Sequence, residues 1–280
     1  MRRTRRAPPV EEAAASMNER FTGRVAGKKA VITGGAGGLG TATAKLLAAH
    51  GAKVFLTDAN SEGARRVASE IERDHGPGVA FAADAHDVRD EARWIEVLAE
   101  ANAAMGGISV LVNNAGVGSI GNVEAVTMAE WRRVMDINVD GIFLGSKHAL
   151  AYMRDHQPGS IVNISSIAGL IASHNFPAYN ASKAGAWMLS KSIALHCAHE
   201  RIDVRSNSIH PAFIRTGIVE PIFAALGEEA AMKRLSQQIP LGHLGEPDDV
   251  AYMVLFLASD ESKFVTAAEF KVDGGISAGV

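Results

Sequence analysis

The sequence predicts an α/β protein built on one doubly wound parallel sheet with helices on both faces. Short apolar segments alternate with longer amphipathic ones from residue 29 to residue 272, without a polar linker in the middle. Turns rich in glycine, asparagine and serine follow the ends of successive apolar segments. Ligand sites in such sheets lie at the carboxyl ends of the strands, so these turns are expected at one edge of a single domain.

Seven apolar segments are predicted as strands: Lys29–Thr33, Lys53–Thr57, 79–88, 109–116, 160–164, 203–211 and 268–272. Helices are predicted over 41–51, 61–76, 91–106 and 128–156, from residue 181 onward, and from residue 248 with a proline just before it. Asn138 lies in the middle of the helix predicted over 128–156, where asparagine is disfavoured. We therefore expect a kink or a bound water at Asn138.

Composition and charge exclude several classes of partner. The chain has 280 residues, 47% of them hydrophobic, and a net charge of −3, which gives no general affinity for nucleic acid. The single cysteine, Cys197, cannot form an internal disulfide, as is typical of a reducing compartment. No apolar run is long enough to span a bilayer. We expect a cytoplasmic protein with no membrane or nucleic-acid partner and no metal site.

Two segments are expected to lie outside the regular sheet and its helices. Residues 1–23 begin with an arginine cluster that no apolar region follows, so they predict a disordered tail rather than a secretory signal. Residues 24–280 then form the single domain. Within it, the segment at about 213–242 has scattered apolar residues and little regularity, which predicts a mobile helical lid. The alternative is an ordinary pair of surface helices.

The first strand runs into a glycine-rich turn and then into a helix, which is the context of a phosphate-binding turn. Glycines let the backbone approach a phosphate closely, and a helix N-terminus offers unpaired N–H groups and a positive dipole end. Two registers fit the pattern. One uses Gly35, Gly37 and Gly40, and the other uses Gly34, Gly38 and Gly40.

The second strand ends at Asp58, about 20 residues after the last of these glycines. A carboxylate there accepts hydrogen bonds from both ribose hydroxyls of a dinucleotide and repels a 2′-phosphate. Gly37 supplies no positive side chain either, so the sequence favours NAD over NADP. The alternative is that Asp58 caps the following helix. Asp84 or Asp87, near the end of the third predicted strand, is a candidate for contact with adenine.

Ser166, Tyr179 and Lys183 predict a site for acid–base chemistry. Tyr179 and Lys183 are four residues apart, so they share one helix face. An ammonium beside a phenol favours the phenolate and would lower the pKa of Tyr179 from about 10. Ser166 follows a strand and can donate to the oxygen that Tyr179 serves. The three side chains would move a proton to or from an alcohol or ketone oxygen; the alternative is a solvated Tyr–Lys pair.

Together these motifs resemble the classical short-chain dehydrogenases/reductases over about Arg24 to Val280. The matching residues are TGGAGGLG at 33–40, Asp58, Asp87, Val88, NNAG at 113–116, Asn138, Ser166, YNASK at 179–183, Pro211, Ile214 and Thr216. The resemblance implies a Rossmann-type seven-stranded sheet of order 3-2-1-4-5-6-7 and the register with Gly34, Gly38 and Gly40. It also implies a homotetramer.

By the same resemblance each residue has an expected role. Tyr179 is the acid/base, Ser166 positions the substrate oxygen, and Lys183 binds the nicotinamide ribose and lowers the pKa of Tyr179. Asn138 holds a water of the proton relay. Ser166 is preferred to Ser165 because its spacing to Tyr179 is that of the family. The expected NAD-binding residues are Gly34, Gly38, Leu39, Gly40, Asp58, Asp87, Val88, Asn114, Ala115, Gly116, Tyr179, Lys183, Pro211, Ile214 and Thr216.

The resemblance predicts an NAD(H)-dependent oxidoreductase that transfers a hydride between nicotinamide and a secondary alcohol or ketone. The segments SIHPAFIRT, LFLASDES and VDGG resemble hydroxysteroid and related alcohol dehydrogenases, so the expected substrate is bulky and apolar, hydroxysteroid-like or cyclic. It is expected to contact Ser166, Tyr179, Phe176 and Phe213. His210 is expected to be a hydrogen-bonded structural histidine.

Two alternatives stay open. An NADPH-dependent 3-ketoacyl-type reductase is disfavoured by Asp58. A cofactor-binding regulator without turnover is disfavoured by the intact set of Ser166, Tyr179 and Lys183, because a sensor needs no proton relay. One departure from the family pattern is Ala212, where a glycine is usual after the proline.

Overall fold

The computed structural model of the chain describes residues 23–217 and 227–278. Almost all of the predicted tail and the middle of the predicted lid, residues 1–22 and 218–226, lie outside the described residues. Seven strands form one sheet in the order β3-β2-β1-β4-β5-β6-β7, and every pairing is parallel, which confirms the predicted topology. The strands are β1 (Lys29–Thr33), β2 (Lys53–Thr57), β3 (Ala80–Ala82), β4 (Val110–Asn113), β5 (Gly159–Ile164), β6 (Val204–Pro211) and β7 (Glu269–Val272).

Helices cover both faces of the sheet. In chain order they are α1 (Gly38–Ala49), α2 (Ser61–His75), α3 (Glu91–Met105), α4 (Met128–Met135), α5 (Gly141–Met153), α6 (Pro177–His199), α7 (Glu228–Ser236) and α8 (Pro247–Ala258). The helix predicted from residue 181 begins earlier, at Pro177, because proline is tolerated in the first turn. Tyr179 therefore lies in the first turn of α6.

Side chains of each strand alternate between two buried layers. In β1, Ile32 packs with α1, α2 and α8, whereas its neighbour Val31 packs with α3, α5 and α6. Trp94 of α3 is fully buried in the second layer. No helix within the described ranges is both long and apolar enough to cross a membrane.

The third strand is much shorter than predicted. Only Ala80–Ala82 pairs with β2, and the predicted strand over 79–88 is wrong beyond residue 82. The chain leaves the sheet because the polar residues that follow make turn contacts: the His86 N–H donates to the Asp58 carbonyl at 2.9 Å, and Asp90 caps α3. Val88 is buried although it is not part of a strand, so its apolar side chain does not indicate that the strand extends to residue 88.

The helix predicted over 128–156 is interrupted at Asn138, as expected. A π-helical turn, Asp136–Asp140, separates α4 from α5. The fully buried Asn138 accepts from the Val117 N–H at 2.8 Å, and it donates to the Val117 carbonyl at 2.9 Å and to Ser182 Oγ at 3.0 Å. The irregular turn lets this side chain bond the loop after β4 and the helix α6 together.

Asparagine amides tie the central strands to one another. Asn114 Nδ2 donates to the carbonyls of Thr33 and Gly34 at 2.9 and 3.1 Å, joining the end of β4 to the end of β1. Asn113 Nδ2 donates to Asn163 Oδ1 at 2.8 Å, joining β4 to β5.

Asn163 is the centre of a buried polar network. It is fully buried, and its own Nδ2 donates to Ser190 Oγ of α6 at 3.0 Å and to Ser206 Oγ of β6 at 3.2 Å. Both polar atoms of the Asn163 side chain have partners, so this one residue helps to fix the register of β4, β5 and β6.

We predict that Asn163→Ala lowers the free energy of unfolding by about 2 kcal/mol or more. The substitution removes hydrogen bonds from buried polar atoms of Asn113, Ser190 and Ser206. The measurement is the midpoint of urea denaturation followed by circular dichroism. Ser192→Ala is the control, because Ser192 is an exposed serine of α6 that bonds its own helix. Equal midpoints for the two variants would contradict the role given to Asn163.

Candidate active site

Five turns meet at the carboxyl edge of the sheet: those after β1, β2, β4, β5 and β6. Contacts between them show that they form one site. Asn114 bonds Gly34 across the first and third of these turns, and Ser166 Oγ lies 3.5 Å from the Pro211 carbonyl. Within the residues that the structure describes, no cluster of three or more His, Cys, Asp and Glu side chains could hold a metal ion.

The glycine turn is a cradle that side chains would fill. Gly34 has a φ of +66°, and a Cβ on it would lie 2.8 Å from Asn114 Nδ2. A Cβ on Gly40 would overlap the Gly34 carbonyl oxygen. The helix α1 begins at Gly38, and no side chain caps its N-terminus, so its first N–H groups face the turn. This arrangement fits the pyrophosphate of a dinucleotide.

The structure decides between the two glycine registers. A Cβ on Gly37 would meet only the Gly34 carbonyl, at an ordinary 3.5 Å, so nothing requires glycine there. A Cβ on Gly38 would lie 3.0 Å from the Thr216 methyl, which brings the turn after β6 against this one. Gly35 is also confined, but by Leu56 of β2 in the core. The register with Gly34, Gly38 and Gly40 is therefore the one that lines the cradle.

Asp58 faces the cradle and does not cap α2. Its Oδ2 accepts from the Ala36 N–H of the glycine turn at 3.0 Å, and its Oδ1 accepts from the Asn60 N–H at 2.8 Å. The cap of α2 is Asn60, which accepts from the Gly63 N–H, so the capping alternative is wrong. A carboxylate has about four acceptor positions, and two remain for ribose hydroxyls.

Asp87 and Val88 lie close to Asp58, because the N–H of the preceding residue, His86, donates to the Asp58 carbonyl. The Asp87 carboxylate accepts from Arg89 Nε at 2.9 and 3.0 Å, and this hydrogen bonding holds the pKa of Asp87 below its usual range. Val88 is buried, and its carbonyl accepts from Trp94 Nε1 at 2.8 Å. Asp84, the other adenine candidate, pairs with Arg65 of α2.

Sequence reasoning did not identify His86 as a member of this region. Its ring lies 3.0 Å from Thr57 Oγ1 and stands edge-on to Trp94, with ring centroids 4.4 Å apart. Burial lowers the pKa of His86 to about 4, so it is neutral at physiological pH. The only signal in the sequence was its position immediately before Asp87.

Ser166 and Tyr179, the residues predicted to be reactive, lie next to each other at the end of β5 and the start of α6. Ser166 is nearly buried, its backbone is extended, and its hydroxyl accepts from the Ala168 N–H at 3.1 Å. Burial raises the pKa of Tyr179, and its hydrogen bond with Ser166 opposes that shift without cancelling it. The net direction is opposite to the sequence prediction, which had Lys183 lowering this pKa.

The surroundings of Lys183 explain the difference. Lys183 is buried, and burial lowers its pKa from 10.5 to about 8, so its positive charge is itself disfavoured. Its Nζ donates to the Ile164 carbonyl at 2.9 Å and lies 5.7 Å from the centre of the Tyr179 ring. A Cβ on Gly116 would lie 3.3 Å from Lys183 Nζ, so the turn after β4 passes directly over the amine.

The two adjacent serines have different surroundings. Ser165 Oγ donates to the Lys183 carbonyl at 2.8 Å and is buried against α6, so it packs β5 on the helix. The neighbouring Ser166 hydroxyl instead acts on Tyr179, whose pKa it lowers against the effect of burial. The Asn138 amide has both N–H groups committed to protein acceptors, so a relay water at this residue could only donate to its Oδ1 or bond its main chain.

The remaining predicted residues line the edge or support it. Ala115 donates its N–H to Thr33 Oγ1 at 3.0 Å, and Leu39 packs on the core below α1. Ile214 is buried and pairs with Gly245. Ala212 has no left-handed backbone conformation, and its N–H continues the pairing with β7, so alanine replaces the usual glycine without strain.

The two phenylalanines predicted to contact the substrate have different surroundings. Phe176 is half-buried immediately before α6, close in sequence to Tyr179. Phe213 instead packs against a small buried cluster, so it supports the segment around α7 rather than standing free at the mouth. That cluster consists of Leu235, Ile239 and Leu244 with Met232 and Ile276 beside it. Of the segment predicted as a lid, only the parts on either side of residues 218–226 are described.

A parallel sheet of this order, with Ser166, Tyr179 and Lys183 beside a glycine cradle, defines an α/β protein of the dinucleotide-binding class. Residues 34–277 match the family model described as Enoyl-(Acyl carrier protein) reductase. The chain is 40% identical to the NADP-dependent (R)-specific alcohol dehydrogenase of Lentilactobacillus kefiri, over 92% of this chain and 100% of that one.

Two further proteins agree. The 3-alpha-(or 20-beta)-hydroxysteroid dehydrogenase of Mycobacterium bovis is 38% identical, over 93% of each chain. The crystal structure of levodione reductase superposes with a TM-score of 0.85 at 34% identity, covering 91% of this chain and 99% of that one. The chain belongs to the short-chain dehydrogenase/reductase family of nicotinamide-dependent oxidoreductases.

We predict that Gly40→Ala weakens NADH binding by about tenfold or more, equal to about 1.4 kcal/mol, because the added methyl group displaces the Gly34 carbonyl. Fluorescence titration with NADH measures the dissociation constant. Gly37→Ala is the matched control in the same turn, and its affinity should stay within about twofold of the unmodified chain. A loss as large in Gly37→Ala would show that the cradle is assigned in the wrong register.

Proposed function

We propose that this protein is an NAD(H)-dependent oxidoreductase that interconverts secondary alcohols and ketones. The observation that carries the proposal is the junction at Gly116. This residue lies against Lys183 Nζ on the catalytic side and belongs to the turn that Asn114 joins to the glycine cradle. A dinucleotide held in the cradle would therefore extend toward Ser166 and Tyr179.

The choice of NAD rests on the charge around Asp58. Its carboxylate lies beside the glycine turn and would accept hydrogen bonds from the two ribose hydroxyls, whereas a 2′-phosphate would meet a like charge. Gly37, on the same turn, carries no side chain that could neutralise a phosphate. The relative with 40% identity is named as NADP-dependent, so sequence similarity alone does not determine which cofactor this chain uses.

Nicotinamide, when bound, would supply the hydride in reduction and accept it in oxidation. Tyr179 gives a proton to the ketone oxygen in reduction and takes it back from the alcohol in oxidation. Ser166 hydrogen-bonds the same substrate oxygen and places it against the phenol. Because burial alone raises the pKa of Tyr179, its phenolate must be favoured within the assembled site, where the positive charge of oxidised nicotinamide acts in that direction.

Lys183 binds the nicotinamide ribose in this proposal. Its amine already donates to the Ile164 carbonyl, and it has two further N–H groups for ribose hydroxyls. Burial lowers the pKa of Lys183 to about 8, so binding to the ribose hydroxyls would also help to hold its charged form.

We propose a bulky apolar substrate, hydroxysteroid-like or cyclic. The support is the exposed apolar surface near the end of β5, where Ile171 is 44% exposed, together with half-buried Phe176 next to Tyr179. A relative of 38% identity is named as a hydroxysteroid dehydrogenase. The homotetramer and the cytoplasmic location stay predictions.

We predict that Tyr179→Phe lowers kcat by about a thousandfold or more, because it removes the proton donor, while the affinity for NADH stays within about twofold. The assay follows the absorbance of NADH with cyclohexanol, a hydroxysteroid and small aliphatic alcohols. Tyr252→Phe is the control, since Tyr252 is an exposed tyrosine of α8. Unchanged turnover in Tyr179→Phe would refute the mechanism, and tight NADH binding without turnover of any substrate would favour the regulator.

We predict that Asp58→Ala shifts the ratio of kcat/KM for NAD to that for NADP by about tenfold or more toward NADP, equal to about 1.4 kcal/mol. Adding Gly37→Arg should shift the ratio further, because the turn has room for a side chain at Gly37. Asp74→Asn removes a carboxylate at the far end of α2 and should leave the ratio unchanged. A preference for NADP in the unmodified chain, or turnover only of a 3-ketoacyl thioester with NADPH, would contradict the assignment.

A further inference from the structure

His210 is a fully buried histidine that joins two parts of the active-site edge. It lies on β6 immediately before Pro211. Its Nδ1 is 3.0 Å from the Ser166 carbonyl oxygen, and its Nε2 is 2.9 Å from Ser208 Oγ. The His210 side chain thus contacts the main chain of Ser166, the serine that binds the substrate oxygen in the proposed function. His210 itself lies next to the turn after β6.

The partners fix the tautomer of the ring. A carbonyl oxygen can only accept, so Nδ1 of His210 must carry the proton and donate to Ser166. Nε2 is then an acceptor, and the Ser208 hydroxyl donates to it. Trp187 of α6 stands edge-on to the ring, with centroids 6.0 Å apart. The imidazole is therefore held from both ends and from one side, and its N–H points in a defined direction.

Main-chain bonding between β5 and β6 ends just before Ser166. The last ladder bond between the two strands runs from the Ser165 N–H to the Ile209 carbonyl at 2.8 Å. Residue 211 of β6 would be the next donor, to the Ser165 carbonyl, but it is proline and has no N–H. Ser166 continues in extended conformation beyond the ladder, with φ of −166°.

Besides the ring of His210, one local bond reaches the same carbonyl. The Gly169 N–H donates to the Ser166 carbonyl at 2.9 Å within a short turn, which closes the loop but does not tie it to β6. The Ser166 hydroxyl is 3.5 Å from the Pro211 carbonyl, at the limit of a hydrogen bond. The strong tie between Ser166 and β6 is the imidazole.

We propose that His210 is a positioning residue for catalysis: its Nδ1–H donates to the Ser166 carbonyl and sets the place of the Ser166 hydroxyl relative to Tyr179. This inference rests on the proposed function, because it assigns a partner to the serine of that site. His210 is fully buried, so it acts through Ser166, to which it adds a side-chain bond from β6 at the point where the main-chain ladder ends.

Three substitutions separate this role from simple packing. His210→Asn keeps an amide N–H near the position of Nδ1, so it can still donate to the Ser166 carbonyl. His210→Gln places its amide near the position of Nε2, toward Ser208, so it retains polarity and volume but loses the bond to Ser166. His210→Leu loses both.

We expect His210→Leu and His210→Gln to lower kcat by about tenfold, the effect of losing one hydrogen bond that aligns reacting groups, with KM for NAD within about twofold. His210→Asn should recover most of kcat. Equal activity in the Asn and Gln variants, or a loss confined to thermal stability, would overturn the inference. If His210→Leu fails to fold, the comparison of Asn with Gln still decides.

Crystal structures of the unmodified protein and of His210→Gln give a readout that needs no turnover. The inference predicts that Ser166 Oγ moves away from the Tyr179 hydroxyl in the variant, and an unmoved Ser166 would overturn it. This outcome is distinct from failure of the proposed function, which would appear as absence of turnover in the unmodified protein while the displacement of Ser166 in the variant is still seen.

Discussion

The hydrogen bonds of the Asn138 amide hold the active site together. Asn138 binds both main-chain groups of Val117, after β4, and the hydroxyl of Ser182, which directly precedes Lys183 on α6. The loop that crosses Lys183 and the helix that carries Tyr179 are thereby fixed to one point. A regular α-helix could not direct this buried side chain while keeping its own register, and the π-helical turn provides the extra residue.

Burial is the constraint that the ionisable groups share. Removal from water disfavours the charged forms of Tyr179 and Lys183 and moves their pKa values apart, since it raises that of Tyr179 and lowers that of Lys183 to about 8. Burial therefore favours a neutral phenol beside a neutral amine, and an added positive charge is needed to favour the phenolate. The same burial keeps His86, beside Thr57, and His210, beside Ser166, neutral, so each ring serves as a fixed hydrogen-bonding group.

The strands, the position of the cradle and the interruption at Asn138 could be predicted because they follow from local patterns: periodicity, glycine spacing and a polar residue inside a helix. The order of the strands was implied by the family resemblance. The end of β3 could not be predicted, since buried Val88 is apolar for reasons of tertiary packing. Nor could the packing of Phe213 or the pKa direction of Tyr179, which depend on neighbours distant in sequence. His210 looked like an ordinary structural histidine until its partner Ser166 was placed.

Transfer of a label tests the central claim most directly. A cyclic secondary alcohol carrying deuterium on its carbinol carbon would be incubated with the protein and NAD, and the reduced cofactor analysed by mass spectrometry. The account predicts that the deuterium appears on the nicotinamide ring of NADH and that an undeuterated alcohol gives unlabelled NADH. Ketone formed without label on the cofactor, or no oxidation of the alcohol while NADH binds tightly, would contradict it.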